Sequence, residues 1–174
     1  MAAALLTSLT FASCGDSGES SGAGEATTPP ADGTGYLTVG DLPEGSLRDH
    51  FGTEGRLTAT LQAHKSGCVN VVVDGVERVP LWPDGSSVAQ VPGKPDAYLV
   101  TLPGGMSLSA GGTAGDSFTA DGLIASDPGP FTGGTEPPGK VDTYLAFCAV
   151  DAAPVAVPDD ATVSHQDGED GSGS

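Results

Sequence analysis

The sequence predicts an all-β domain. Glycine (27) and proline (14) are abundant among the 174 residues, and both are disfavoured in helix interiors. Apolar and polar residues alternate with a period of two in several segments, and turn-forming pairs such as Asp74-Gly75 separate them. About six short strands joined by turns are typical of a barrel or a sandwich. We expect a small closed, OB-like barrel, which has no exposed strand edge, with a β-sandwich as the alternative.

One short helix is expected before the first strand, over residues 42–51. Asp41 and Glu44 have the spacing of a helix cap and the third helical residue. Leu47 and Phe51 are four residues apart and would share one face. We expect this helix to pack at the edge of the domain.

The predicted strands follow the alternation along the chain. Cys68–Val73 is rich in valine and is expected to be a central strand, whereas Pro80 indicates a sheet edge or a strand end. Residues 127–140 are predicted to be a Pro/Gly-rich loop. The strands are expected at residues 57–62, 68–73, 76–82, 98–102, 106–108, 115–122 with a further apolar piece at 123–125, and 143–150.

Composition divides the chain into four parts: a signal peptide at residues 1–13, a disordered tether at 14–35, the β domain at 36–157 and a disordered acidic tail at 158–174. The first part is apolar and too short to span a bilayer, which takes roughly 20 apolar residues. The tether and the tail are rich in Gly, Ser, Asp and Glu.

The segment Phe11-Ala12-Ser13-Cys14 resembles the lipobox of bacterial lipoproteins, with Phe11 at the position where leucine is usual. The resemblance implies cleavage before Cys14 and attachment of lipid, including palmitate, to its thiol. The protein would then be extracytoplasmic and anchored to the cell membrane, with membrane lipid as its first partner. A cleaved secretory signal, and hence a secreted protein, is the alternative.

Cys68 and Cys148 remain as a pair once Cys14 is assigned to the lipid. In an exported protein this pair is expected to form a disulfide bond. The two cysteines are 80 positions apart. On the chain-entropy model, closing a loop of that length stabilises the fold by at most roughly 4 to 5 kcal/mol. Two buried free thiols are the alternative.

Four segments of the domain form a recognisable pattern: Gly67-Cys68, Pro80–Gly85, Leu102–Gly105 and Gly115-Asp116. This pattern resembles one in small exported proteins of high-GC Gram-positive bacteria. The resemblance implies an extracytoplasmic β-barrel and implies no activity.

The charge of the chain argues against polyanionic partners. Its 23 acidic and 6 basic residues give a net charge of −17. Nucleic acids bind through Lys and Arg at their phosphates, so no nucleic-acid partner is expected. Anionic headgroups would be repelled for the same reason, and the charge is interpreted as a source of solubility.

Two short motifs imitate catalytic or phosphate-binding sites. Gly15–Gly18 matches the tetrapeptide around a serine-protease nucleophile, but it lies in the predicted tether, where no scaffold would position a base. Gly134–Val141 imitates a phosphate-binding loop, yet Pro137 and Pro138 supply no backbone N–H. We therefore predict no catalytic residues.

The histidines do not indicate a metal site. A metal site usually collects three or four ligands, whereas His50 and His64 are two, and His165 falls in the predicted tail. No cofactor is expected either. Paired carboxylates for hydrolysis could be drawn from many acids, and nothing in the sequence selects a pair.

The expected function is a non-enzymatic binding or accessory module whose ligand or cell-envelope protein partner the sequence does not identify. The candidate binding surface comprises Trp82, Pro83 and Phe131, although burial of Trp82 in the core or at a barrel mouth is the more common arrangement. Two alternatives are a small secreted hydrolase with a dispersed site and a structural cell-envelope protein.

Overall fold

The computed structural model describes residues 35–111, 115–132 and 139–166. Strands are the main regular structure, which confirms the all-β prediction. The strands are β1 (Leu37–Thr38), β2 (Gly55–Ala63), β3 (Val69–Val73), β4 (Val76–Arg78), β5 (Pro80–Trp82), β6 (Ser87–Gln90), β7 (Ala97–Thr101), β8 (Ser107–Gly111), β9 (Ser117–Ile124), β10 (Val155–Ala156) and β11 (Ser164–His165). The helices are α1 (Ser46–His50), α2 (Gly129–Thr132) and α3 (Lys140–Cys148).

The strands form two sheets. The larger has the order β1-β5-β10-β9-β2-β3-β4, with β11 also paired to β9, and the smaller has the order β6-β7-β8. β2 and β9 are antiparallel from Gly55 opposite Gly122 to Thr60 opposite Ser117. β5 is parallel to both β1 and β10. The long antiparallel β2–β9 pair is thus the centre of the larger sheet.

The two sheets share one hydrophobic core and are arranged like a sandwich. Val71 and Phe118 of the larger sheet and Val100 and Leu108 of the smaller sheet belong to this core. Neither sheet closes on itself within the described residues. The closed OB-like barrel is therefore not formed there, and the sandwich, the predicted alternative, describes the packing better.

The turn at Asp74-Gly75 is confirmed. Both residues have left-handed backbone angles, with φ of 52° and 75°, as a tight type I′ hairpin requires. The turn joins β3 to β4, with Val73 paired to Val76. It therefore sets the register that places Glu77 opposite Val72.

The predicted strand at 76–82 is divided in two. β4 ends at Arg78 and β5 begins at Pro80, where the chain leaves β3 and joins β1 and β10. Proline has no N–H for a sheet ladder, so a strand change at Pro80 costs no hydrogen bond. The prediction that Pro80 marks a strand end is confirmed.

The prediction of a strand at 143–150 was wrong, because this segment contains most of α3. Val141, Tyr144 and Leu145 are its buried residues, and Cys148 packs beside them. These four positions have the i, i+3, i+4, i+7 spacing of one helical face. A short apolar run is compatible with a strand or with a helix, and the spacing of the buried residues shows that this one is a helix.

The helix expected at 42–51 is shorter than predicted. A 3₁₀ turn over Val39–Asp41 precedes α1, which begins only at Ser46. The Asp41 carboxylate accepts from the backbone N–H of Thr38 at 2.8 Å, so it caps the earlier turn. Leu42 is extended, as expected of a residue before proline.

The ordered structure continues beyond residue 157, where the sequence analysis ended the domain. Val163 is buried, and β11 pairs with β9 through Ser164 opposite Thr119. Arg56 donates to the Thr162 carbonyl and to Ser164 Oγ at 3.0 and 3.2 Å. Residues 158–166 therefore belong to the fold. The predicted signal peptide, Cys14, the tether up to residue 34 and residues 167–174 of the tail lie outside the described residues.

Candidate functional site

A cleft of about 260 Å³ opens between the β2–β4 edge of the larger sheet and the end of α3. Its lining residues are His64, Glu77, Cys148, Ala149, Val150, Asp151 and Ala152. One wall thus carries the ionisable side chains of His64 and Glu77 from the sheet, and the other is a turn of main chain that carries Asp151 among small apolar side chains.

Three adjacent strands position the polar wall. His64 directly follows β2, Asn70 is in β3 and Glu77 is in β4. Side chains of a strand alternate between faces, so Val69, Val71 and Val73 enter the sandwich core and Asn70 points to the opposite face. A tight turn, in which Gly67 N–H donates to the His64 carbonyl at 2.9 Å, fixes the position of His64.

Glu77 is the centre of this wall. Its Oε1 atom is 2.6 Å from His64 Nε2 and accepts a hydrogen bond from Asn70 Nδ2 at 2.5 Å. Asn70 is fully buried, whereas the His64 and Glu77 side chains are 37% and 31% exposed. Within the described part of the chain, Glu77 Oε2 receives no hydrogen bond, so one oxygen of this lining residue is without a protein donor.

The opposite wall is fastened to the sheet. A disulfide bond joins Cys68, beside β3, to Cys148 at the end of α3, with the Cα atoms 5.8 Å apart. Arg78 donates from a guanidinium nitrogen to the Ala153 carbonyl at 2.7 Å. Ala149 ends α3 in a left-handed conformation with φ of 51°. The disulfide and Arg78 therefore hold both ends of the 148–153 segment against the sheet.

The disulfide confirms the predicted pairing of Cys68 and Cys148. Its geometry differs from the expectation in one respect, because Cys148 is in a helix and not in a strand. The bond consequently ties α3 to the sheet and closes one side of the cleft.

The cleft has a negative electrostatic character. Glu77 and exposed Asp151 are both lining residues. The carbonyl end of a helix carries a partial negative charge, and α3 ends at this cleft. None of the seven lining residues is Ser, Thr or Lys, and Cys148 is oxidised, so the cleft presents no side-chain nucleophile of those types.

Tyr144 lies in the middle of α3, on the face packed against the sheet. Burial of its phenol raises the pKa of Tyr144 to about 12. The nearby backbone of Val69 lowers the pKa and Tyr98 raises it, but burial dominates. Tyr144 is therefore neutral at physiological pH and acts as a packing residue behind the cleft.

The candidate surface at Trp82, Pro83 and Phe131 is not exposed. Trp82 has no exposed surface and packs 5.8 Å from Phe118, centroid to centroid. Pro83 is buried, and Phe131 packs against Phe51 with 5.5 Å between ring centroids. These residues belong to the core because large apolar side chains are stabilised there. The prediction of a binding surface at these three residues is therefore replaced by their assignment to the core.

The predicted loop at 127–140 is described only in part. It contains α2 and the first residue of α3, and residues 133–138, with most of the segment that imitates a phosphate-binding loop, lie outside the described residues. Cys14 and Gly15–Gly18 lie outside them as well.

No cluster of three or more His, Cys, Asp or Glu side chains able to hold a metal ion occurs in residues 35–111, 115–132 and 139–166. His50 contacts Phe131 edge to face, whereas His64 is at the cleft, so the structure does not bring these two histidines into one site. In the same ranges, no helix has the length and apolarity needed to cross a bilayer.

Comparisons of the chain with protein-family models, with curated proteins and with solved structures give no match. The site is therefore described from its own geometry.

No sequence motif marks Asn70, Glu77 or Asp151. His64 enters the sequence predictions only beside His50, as a pair too small for a metal site. The sequence gives no reason to select Glu77, because a polar residue at its position is ordinary in a strand with alternating polar and apolar residues. The register of β2, β3 and β4 was needed to bring these residues together.

Proposed function

We propose that the protein is a non-enzymatic binding or accessory module on the outer face of the cell membrane. In this proposal a lipid on Cys14 anchors the chain, and the cleft between β4 and the end of α3 binds the ligand. The single observation that carries the binding role is the convergence of His64, Glu77 and the 148–152 main chain on one cleft.

The size of the cleft limits its occupant. Sites for drug-sized ligands usually have volumes of roughly 300 to 1,000 Å³, and this cleft has about 260 Å³. The occupant is therefore a small molecule, or one side chain of a larger cell-envelope partner. The free Glu77 oxygen and the main chain of residues 148–152 provide the polar contacts that orient it.

The binding role is tested by NMR on the full chain. Amide resonances are monitored while a library of small polar molecules is screened. We expect ligands that shift the resonances of His64, Glu77 and residues 148–152 in a saturable way. A library that yields no saturable binder at these residues would contradict the proposal.

The export and anchoring part of the proposal has separate support. A disulfide bond between Cys68 and Cys148 is typical of an oxidising compartment, and Phe11–Cys14 resembles a lipobox. Intact mass of the protein from its native membrane fraction should show cleavage before Cys14 and an added lipid. Cys14→Ser should move the protein to the soluble fraction. An unmodified, uncleaved chain in the cytosol would refute anchoring and leave the cleft unaffected.

A small hydrolase is a second candidate because His64 and Glu77 are 2.6 Å apart. Such a pair can orient an imidazole to activate water. Turnover of ester, amide and phosphate probes, abolished by His64→Gln, would favour this function. The binding module instead predicts equal, background rates for the wild type and His64→Gln.

A further inference from the structure

We propose that the cleft is specific for an organic cation: an ammonium or guanidinium group on a small molecule or on a partner side chain. This inference rests on the proposed binding function and names the ligand class. It depends on three sources of negative charge that face one small cavity.

The first source is the Glu77 carboxylate. His64 and Asn70 both approach the same oxygen, Oε1, and their contacts fix the direction of the carboxylate. Oε2 has no donor among the residues the structure describes. A charged N–H donor is the group that a fixed carboxylate oxygen binds most strongly.

Asn70 supports the view that this carboxylate is held for a purpose other than folding. It is fully buried, and its Oδ1 atom has no hydrogen-bond partner in the described ranges. An unpaired buried acceptor costs stability. The strand therefore retains a costly amide whose one hydrogen bond orients Glu77.

The second and third sources come from the opposite wall. Asp151 lines the cleft and has no ion-pair partner in the described part of the chain. The nine-residue helix α3 ends at Cys148, so its free carbonyl groups are next to the cavity. A cation between the two walls would donate hydrogen bonds to both.

No basic side chain in the described ranges contacts Asp151 or the Glu77 Oε2 atom. Arg78 donates to the Ala153 carbonyl and is not among the lining residues. Lys65 follows His64 in the chain, but it is exposed and does not line the cleft. His64 is the basic residue of the lining, and its Nε2 atom is directed to Glu77 Oε1. An anionic ligand would meet two carboxylates, Glu77 and Asp151, and a single basic lining residue, His64, which already contacts Glu77.

The experiment uses three probes of matched size, which are n-butylammonium, n-butanol and n-butyrate, with the full-length oxidised protein at pH 8 and constant ionic strength. Amide shifts of residues 148–152 report binding. We expect saturable shifts with butylammonium, and none with butanol or butyrate at the same concentrations. Equal or tighter binding of butanol or butyrate would overturn the cation inference.

Three charge-removing variants show which carboxylate contributes to butylammonium binding. Glu77→Gln keeps the shape and the acceptor for Asn70, and should weaken butylammonium binding about tenfold, as expected for loss of a charge-assisted contact. Asp151→Asn, at an exposed position that does not affect folding, should weaken it about threefold. Asp96→Asn makes the same change of net charge at an exposed position outside the cleft, and should leave binding unchanged.

These results separate the two proposals. If the screen for the proposed function finds a cleft ligand and butylammonium does not bind, the cation inference alone is refuted. If no molecule of either set binds at the cleft, the binding function fails as well. Butylammonium binding that Glu77→Gln and Asp96→Asn weaken equally would reflect only the net charge of −17 and would refute the site.

Discussion

Asn70 donates a hydrogen bond to Glu77 Oε1 at 2.5 Å from a side chain with no exposed surface. Asn70 is in a strand whose valines fill the sandwich core, and Glu77 is in the next strand at the cleft. The bond therefore links a fully buried side chain, on the face of β3 opposite the sandwich core, to the candidate site. Changes at Asn70 should affect stability and ligand binding together.

Asn70→Ala should lower the free energy of unfolding by about 1 to 3 kcal/mol, since it removes a buried donor from a carboxylate and leaves a cavity. Urea unfolding measures the loss. Gln62→Ala is the matched control, because Gln62 is the exposed residue paired with Asn70 across β2 and β3, and it should change stability by less than about 0.5 kcal/mol. Equal losses of unfolding free energy in both variants would show that the hydrogen bond to Glu77 does not contribute measurably to stability.

Replacing Cys68 and Cys148 together by alanine should destabilise the fold by up to roughly 4 to 5 kcal/mol on the chain-entropy model. The disulfide closes a loop with a sequence separation of 80 residues, and the open loop gives the unfolded chain more conformations. The urea midpoint should decrease, and a reductant should move the wild-type midpoint to the value of the variant. A wild-type midpoint insensitive to complete reduction would contradict this prediction.

Tyr144 should make the protein sensitive to alkaline pH. Its folded-state pKa is about 12, whereas an unfolded tyrosine has a pKa of about 10. Between these values the folded protein holds a proton that the unfolded chain has released, so stability decreases as the pH rises from 10 to 12. The decrease attributable to Tyr144 should reach about 2 to 3 kcal/mol.

The comparison with Tyr144→Phe isolates this effect. The variant has no phenol to ionise, and its stability should decrease less than that of the wild type across the same pH interval. Denaturant unfolding at a series of pH values measures both slopes. Parallel curves of stability against pH for the two proteins would mean that burial does not raise the pKa of Tyr144.

Trp82 is the only tryptophan, so its fluorescence reports one environment. Full burial against Phe118 should give blue-shifted emission and weak quenching by acrylamide. Trp82→Ala should cost about 3 to 5 kcal/mol, as is usual for a buried aromatic residue. Trp82→Phe should cost less, because Trp82 Nε1 has no hydrogen-bond partner to lose within the described residues. Emission typical of a water-exposed indole would refute the core assignment.

The sequence contains enough information to predict the strands and much less to predict their assembly. Alternation predicted β2 and β7, a valine-rich run predicted β3, and the turn-forming pair Asp74-Gly75 predicted the hairpin between β3 and β4. α3 was missed because a short apolar run fits both periods, and only its contacts reveal the helical face formed by Val141, Tyr144 and Leu145.

The candidate site was less predictable than the fold. The disulfide partners followed from the cysteine count, but the cleft depends on where Cys148 places the end of a helix. Glu77 differs from the other acidic residues through its contacts with His64 and Asn70, which come from two other segments. Long-range register of this kind is a property of the folded sheet and leaves no local pattern.

The covalent link between Cys68 and Cys148 affects how ligands should be sought. One side of the cleft is fixed by this link, so thiol reagents in a purification buffer would release α3 from the sheet edge. Pull-downs from reducing extracts, and protein expressed in a reducing host compartment, would test a cleft that lacks its covalent link. Screens with fully oxidised protein, verified by mass before use, are the relevant ones.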